Sequence, residues 1–185
     1  KELFAYIPRA VAENLNRLTN PLYSHTQFVD GVPTVGEAKI YNSSSSTATD
    51  ATWKTVLVSG MGGGAQGVFA LDVTVPESFS ASNVMFEFTD RDDPDMGNIV
   101  GKPKIVKMQR TVVTAGVTTY VTRWYVAVGS GYNNYAADGH SSTTGVQSLF
   151  LLSLDKKPGE AWKQGRYDDL VQEADDPLHN YYKIS

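Results

Sequence analysis

Cysteine is absent from all 185 residues, so no disulfide framework, thiol nucleophile or cysteine-ligated metal is available to the chain. Lys and Arg total 16 against 20 Asp and Glu, for a formal net charge of −4. The cations form no stripe. This argues against nucleic acid as a partner, because neutralising phosphate needs clustered Lys and Arg. No apolar run approaches the roughly 20 residues that span a bilayer. The three histidines, His25, His140 and His179, are far apart and lack the spacing of a metal pair. No initiator Met or signal peptide is visible. The chain opens at Lys1-Glu2-Leu3-Phe4-Ala5-Tyr6 in a strand-like pattern, so the expectation is a piece of something larger.

What is present points to β structure. Hydrophobic residues make up 41% and aromatics 11%, with 16 Gly, 10 Tyr and short runs of Val and Thr. These are residues that fit a pleated, half-buried surface, in a chain long enough for one domain with a core. Strands are expected at Leu3–Ile7, Pro33–Tyr41, Trp53–Val58, Phe69–Thr74, Val84–Phe88, Pro103–Val113, Thr118–Gly129 and Ser148–Leu154. Val11, Leu15 and Leu18 share one face of a short helix over Ala10–Leu18, and Tyr167, Leu170, Val171 and Ala174 share one face of a second. Asn42–Thr52, Asp90–Gly97 and Gly129–Gly145 read as polar loops, the first of them serine-rich.

Gly62-Gly63-Gly64-Ala65-Gln66-Gly67 fits the G-x-G-x-x-G pattern of dinucleotide sites. That chemistry needs a helix after the glycines, with its N-terminus facing phosphate. Phe69-Ala70-Leu71-Asp72-Val73-Thr74 alternates like a strand instead, so the pattern reads as a tight connection between two strands.

The chain also repeats itself at roughly 70 residues. Pro33-Thr34-Val35 pairs with Pro103-Lys104-Ile105, Trp53 with Trp124, Gly60 with Gly131, and Val68–Asp72 with Leu149–Leu152. Each unit then closes on an aromatic segment, Val84–Phe88 in the first and Glu160-Ala161-Trp162 in the second. Four antiparallel strands per unit is the make-up of a propeller blade. Units of about 1–32 (partial), 33–89 and 101–162 are expected, with 163–185 leading to a following blade. A closed propeller needs roughly 4–8 blades, so two to three blades, with two short helices, make part of one all-β propeller domain.

Taken in order, KELFAYIP, YSHTQFVDGVPTVGEA, WKTVLVSGMGGGAQGVFALDVT, VGKPKIV and WYVAVGSGYNN resemble the C-terminal propeller of the PilC/PilY-type tip-associated adhesins of bacterial type IV pili. The resemblance runs from Lys1 to about Trp162. It implies a quinoprotein-like β-propeller, exported through the periplasm to the pilus tip or outer membrane. Implied roles are pilus assembly, opposition to retraction, twitching motility and attachment to host or abiotic surfaces, with minor pilins as partners. It also implies a calcium loop of D-x-[DN]-x-D-G type. By alignment that loop lies beyond Ser185, so no cofactor is expected in this chain.

The residues that carry chemistry elsewhere are weakly organised here. Asp90-Arg91-Asp92-Asp93-Pro94-Asp95-Met96-Gly97 alternates carboxylates as a calcium loop does, but Pro94 and Asp95 stand at the wrong positions and no bidentate Glu follows. The alternative is a solvated acidic turn. Ser59 and Ser130 lack a G-x-S-x-G setting. Tyr132, Asn133, Asn134 and Tyr135 combine contact area with adaptable hydrogen bonding, either as a recognition surface or as a cover over a blade edge. The expected function is therefore binding and assembly without catalysis. The alternatives are a dehydrogenase propeller binding pyrroloquinoline quinone and a stand-alone glycan-binding β domain.

Overall fold

A computed structural model describes residues 1–41, 50–166 and 179–185. The expected second helix (167–174) and most of the serine-rich loop (42–49) lie outside them. Two sheets, antiparallel but for one parallel edge pair in the second, stack face to face. The first runs in the order β1 (Thr34–Tyr41), β2 (Ala51–Gly60), β3 (Gly67–Asp72), β4 (Val84–Thr89). The second contains β5 (Lys104–Thr114), β6 (Val117–Gly129), β7 (Leu149–Ser153), β8 (Gln164–Gly165) and β9 (Tyr181–Ile184), in the order β5-β6-β7-β9-β8. Ala115 and Gly116, both at positive φ, turn the β5–β6 hairpin.

Alternation explains the stacking. Val56 and Val58 on β2, Val68 and Ala70 on β3, and Phe86 and Phe88 on β4 point to one side. They meet Val126 and Val128 of β6 and Phe150 and Leu152 of β7 in one core cluster. The intervening residues face the opposite sides. Phe69 and Leu71 pack with Val11 and Met61 under the N-terminal segment, and Tyr125, Leu151 and Tyr182 cover the far face of the second sheet.

Three expectations change. Leu3–Ile7 forms no strand. Phe4 stacks on Phe79 at 3.9 Å and Tyr6 tilts onto Phe69 at 5.2 Å, so the segment lies against the first sheet's face. Alternation signals one-sided contact, which lying across a face satisfies as well as pairing at an edge does. The helix expected over Ala10–Leu18 is one turn, α1 (Arg9–Ala12), followed by a 3₁₀ turn over Leu15–Thr19. Val11 is buried but Leu18 is exposed, and Asn14 and Asn16 are poor helix formers.

The second unit, finally, does not close at Trp162, and 163–185 does not simply lead onward. Trp162 crosses to the first sheet, edge-on to Phe86 and Phe88, and donates its indole N–H to the Glu87 carbonyl at 2.9 Å. The fourth strand is β9, antiparallel to β7 from Leu149↔Ile184 to Leu152↔Tyr181.

Candidate functional site

The glycine loop binds the chain itself. Gly62–Gly64 makes a 3₁₀ turn and β3 follows directly, so no helix N-terminus exists there to face a phosphate. A Cβ on Gly62, Gly63 or Gly64 would fall 1.8 Å from Asp30 Oδ1, 2.0 Å from Gln27 Oε1 or 1.9 Å from the Phe28 carbonyl oxygen. The glycines let the segment before β1 lie directly on this loop, where Gly63 N–H donates to Asp30 Oδ1 at 2.7 Å.

The second unit repeats the device. Gly97 N–H donates to the Ser130 carbonyl and Asn98 N–H to the Tyr132 carbonyl, both at 2.7 Å. A Cβ on Gly131 would lie 2.0 Å from the Asn98 carbonyl oxygen. Asn98 then reaches back, donating from Nδ2 to the Gly62 carbonyl at 2.8 Å. Gly62 and Gly131 share positive φ, +63° and +76°. Gly60 and Gly129 share the last ladder position, opposite Val68 and Leu149. The repeat partner of Gly60 is thus Gly129, not Gly131.

The acidic turn is occupied by protein groups. Asp92 accepts from the Thr89 backbone N–H at 2.9 Å. Lys183 Nζ of β9 sits 3.0 Å from an Asp93 carboxylate oxygen and 2.9 Å from one of Asp95. Tyr181 donates its hydroxyl to Asp93 at 3.2 Å. Burial and the Asp93 charge push that phenol's pKa far up. Burial pushes the Asp95 carboxyl upward, but hydrogen bonds from Ser142 and Lys183 outweigh it and hold the group below the usual range. Among the described residues, no group of three or more His, Asp or Glu side chains is placed to hold a metal ion.

The loop after β6 folds back over this turn. Asn134, fully buried, donates to the carbonyls of Asp95 at 3.3 Å and Val146 at 3.0 Å. Asn133, at φ +67°, offers its carbonyl to Gln66 Nε2 at 3.1 Å. Gln66, which sequence reasoning passed over, also reaches Asp138 at 3.2 Å and ties the glycine loop to this second loop. Its position inside the G-x-G-x-x-G string was the only signal. Tyr132 and Tyr135 stay outside, Tyr135 at 70% exposure. The two asparagines are therefore structural, and the tyrosines are the free part of the cluster.

Beside them is a polar concavity of about 470 Å³, lined by Glu13, Arg17, Gln66, Asp90, Asp138 and His140. Burial, and next the Asp138 charge, raise the Asp90 carboxyl. His25 lines an adjoining hollow with Arg17 and Gly63. Neither candidate serine meets a base. Ser59 Oγ donates to the Gly60 carbonyl at 3.0 Å, and Ser130 Oγ lies 3.3 Å from Gln147 Oε1. The two hollows supply hydrogen-bonding groups and both signs of charge, which suits binding.

The PilY1 beta-propeller domain family matches residues 1–164. The chain belongs to this family. A type IV pilus biogenesis factor PilY1 homolog of Xylella fastidiosa (strain Temecula1) is 38% identical over 153 residues, covering 83% of this chain and 8% of that protein. PilY1 of Pseudomonas aeruginosa (strain UCBPP-PA14), also named a type IV pilus biogenesis factor, is 34% identical over 158 residues, covering 84% and 11%. The crystal structure of the P. aeruginosa PilY1 C-terminal domain superimposes with a TM-score of 0.53 at 27% identity, over 85% of this chain and 25% of that one. The chain thus spans about a tenth of the curated relatives' length. Within the PilY1 family its two stacked, largely antiparallel sheets are part of a β-propeller.

Proposed function

We propose that this chain is a rigid binding and assembly module of a type IV pilus biogenesis factor. It works at the cell surface by docking to pilus components and to external surfaces, and it catalyses no reaction. The observation that carries the reading is the PilY1 family match over residues 1–164. The structure supports it with two loops locked to each other and to the glycine turn, which leave Tyr132 and Tyr135 exposed on the same loop whose Asn133, Asp138 and His140 line a polar concavity. Loops fixed on a packed scaffold are where recognition residues concentrate, and pre-ordered aromatics bind with little entropic loss. Pilin contacts, opposition to retraction, twitching and attachment are the roles this face would serve. Calcium control would come from the loop that the resemblance places after residue 185.

The test is a Tyr132→Ser/Tyr135→Ser double variant in the full-length protein. Surface pili, twitching zones and attachment to coated surfaces are scored beside the protein's surface level. The reading predicts normal folding and export with reduced attachment. Unchanged piliation, twitching and attachment would overturn it.

A further inference from the structure

The two glycine-bearing units are built alike, but only one is sealed. At Gly60 an added Cβ would fall 2.6 Å from the Ile99 Cβ and 2.7 Å from its carbonyl oxygen. The strap Gly97–Pro103, which leads into β5 of the second sheet, therefore seals the end of the first. At the matching residue Gly129, an added Cβ would meet nothing within 4 Å. The neighbouring strand pairs show the same contrast. Val68 and Phe88, paired on β3 and β4, are fully buried. Leu149 and Ile184, which pair next to Gly129, are 42% and 38% exposed. Ile99, Gly129, Ser130, Gly131, Leu149 and Ile184 line an open groove of about 710 Å³. It continues the apolar outer face carrying Tyr125, Leu151 and Tyr182.

We propose that this groove is a socket for the lead-in strap of a further sheet unit of the same polypeptide, which lays a branched apolar side chain on Gly129 as Ile99 lies on Gly60. The first socket shows the shape and chemistry of the occupant. It is an extended strap with a small residue, an Asn- or Asp-type side chain and then Ile or Val. The Asn-type side chain donates to the carbonyl of the socket unit's positive-φ glycine, here Gly131, as the Asn98 amide donates to the Gly62 carbonyl at 2.8 Å. The relatives are about ten times longer than this chain, which leaves ample polypeptide to supply such a unit. Successive sheets would then be fastened by straps at one end as well as by face-to-face packing. The absence of a Cβ at Gly129 is what keeps the socket open.

The probe is a peptide with the sequence of Gly97–Pro103, added to the isotope-labelled 185-residue chain. Saturable amide shifts are expected at Gly129, Ser130, Gly131, Leu149 and Ile184. Replacing Ile with Asp in the peptide should weaken binding at least about tenfold. Gly129→Val should abolish it without unfolding the chain, since a side chain there meets open space. The thiol of a Leu149→Cys variant should be slowed about tenfold towards maleimide by the peptide. It should be protected without peptide in a chain extended by the next unit. No shifts at low-millimolar peptide, or shifts indifferent to the Ile→Asp change, would overturn the socket. Peptide protection with a fully reactive thiol in the extended chain would overturn the same-polypeptide occupant and point to another molecule.

Discussion

Trp53 and Trp124 meet edge to face, with ring centroids 5.9 Å apart and planes at 70°. Trp53 lies on β2 and Trp124 on β6, so two residues that look alike in the repeat touch across the sheet–sheet boundary. Trp124 leans on the shared core, whereas Trp53 is 59% exposed. An aromatic pair of this geometry contributes about 0.5–1.5 kcal/mol beyond area burial. Urea unfolding of the two single Ala variants and the double variant should return a coupling of about 1 kcal/mol, with Trp124→Ala the costlier single change.

The glycine sockets predict opposite outcomes for one chemical change. Gly60→Ala drives a methyl into Ile99, an overpacking that costs about 1–3 kcal/mol. Gly129→Ala places the same methyl in open space and should be neutral or stabilising by up to about 1 kcal/mol, because the unfolded chain loses freedom. Thermal and urea unfolding of the two variants side by side would show the contrast.

Most of the strand pattern was legible in the sequence because β1 to β4 and β6 to β7 each bury one face against the other sheet, and that imposes a period of two. Leu3–Ile7 carries the same period yet forms no strand, since contact with one surface produces it whatever the backbone pairs with. β9 was missed because Tyr181-Tyr182-Lys183-Ile184 is short. Its inward side is also set by a lysine held between two carboxylates rather than by apolar alternation. The role of the acidic turn was equally hidden, since Lys183 lies some 90 residues from Asp93 and Asp95 and nothing local announces the pairing. Likewise, Asn133 and Asn134 read equally as recognition residues or as a cover over a blade edge, because sequence does not show that their amides are committed inward.

The Lys183 clamp should shape the pH dependence of stability at both ends. Burial lowers the Lys183 pKa, but hydrogen bonds and charges of Asp93 and Asp95 outweigh it and leave the pKa raised. Its contribution is complete below the unfolded lysine value of about 10.4 and is lost as pH rises through the folded value. Asp95 is held low, so its contribution is present above the unfolded value of about 3.9 and is lost as pH falls through the folded one. Asp90, Asp92 and Asp155 are raised, chiefly by burial, and work in the opposite direction on the acid side. The difference between wild type and Asp95→Asn isolates the clamp. Chemical denaturation across pH should show about 1 kcal/mol lost near neutrality, with the two curves converging as pH falls through the folded Asp95 value.

Truncating the lysine is the more damaging change. Asp93 is 2% exposed and, once Lys183 is gone, keeps the Tyr181 hydroxyl and the Asp95 backbone N–H as donors but no opposite charge among these partners. Breaking one side of a buried pair costs about 3–5 kcal/mol. Lys183→Met should approach that loss, and Lys183→Met combined with Asp93→Asn should recover part of it. Unfolding midpoints of the single and double variants measure both effects.

The stacking of the two sheets as neighbouring propeller blades is tested most directly by a designed disulfide. An ideal Cβ at Gly36 of β1 would lie 4.0 Å from the Cβ of Ile105 on β5, within the range that a disulfide spans. The chain has no cysteine of its own to interfere. A Gly36→Cys/Ile105→Cys variant should oxidise to a single intramolecular bond, counted by mass spectrometry under native conditions, and gain about 2–4 kcal/mol of stability. A native, folded variant whose two thiols remain free, or that cross-links only between molecules, would contradict the packing of the first sheet on the second.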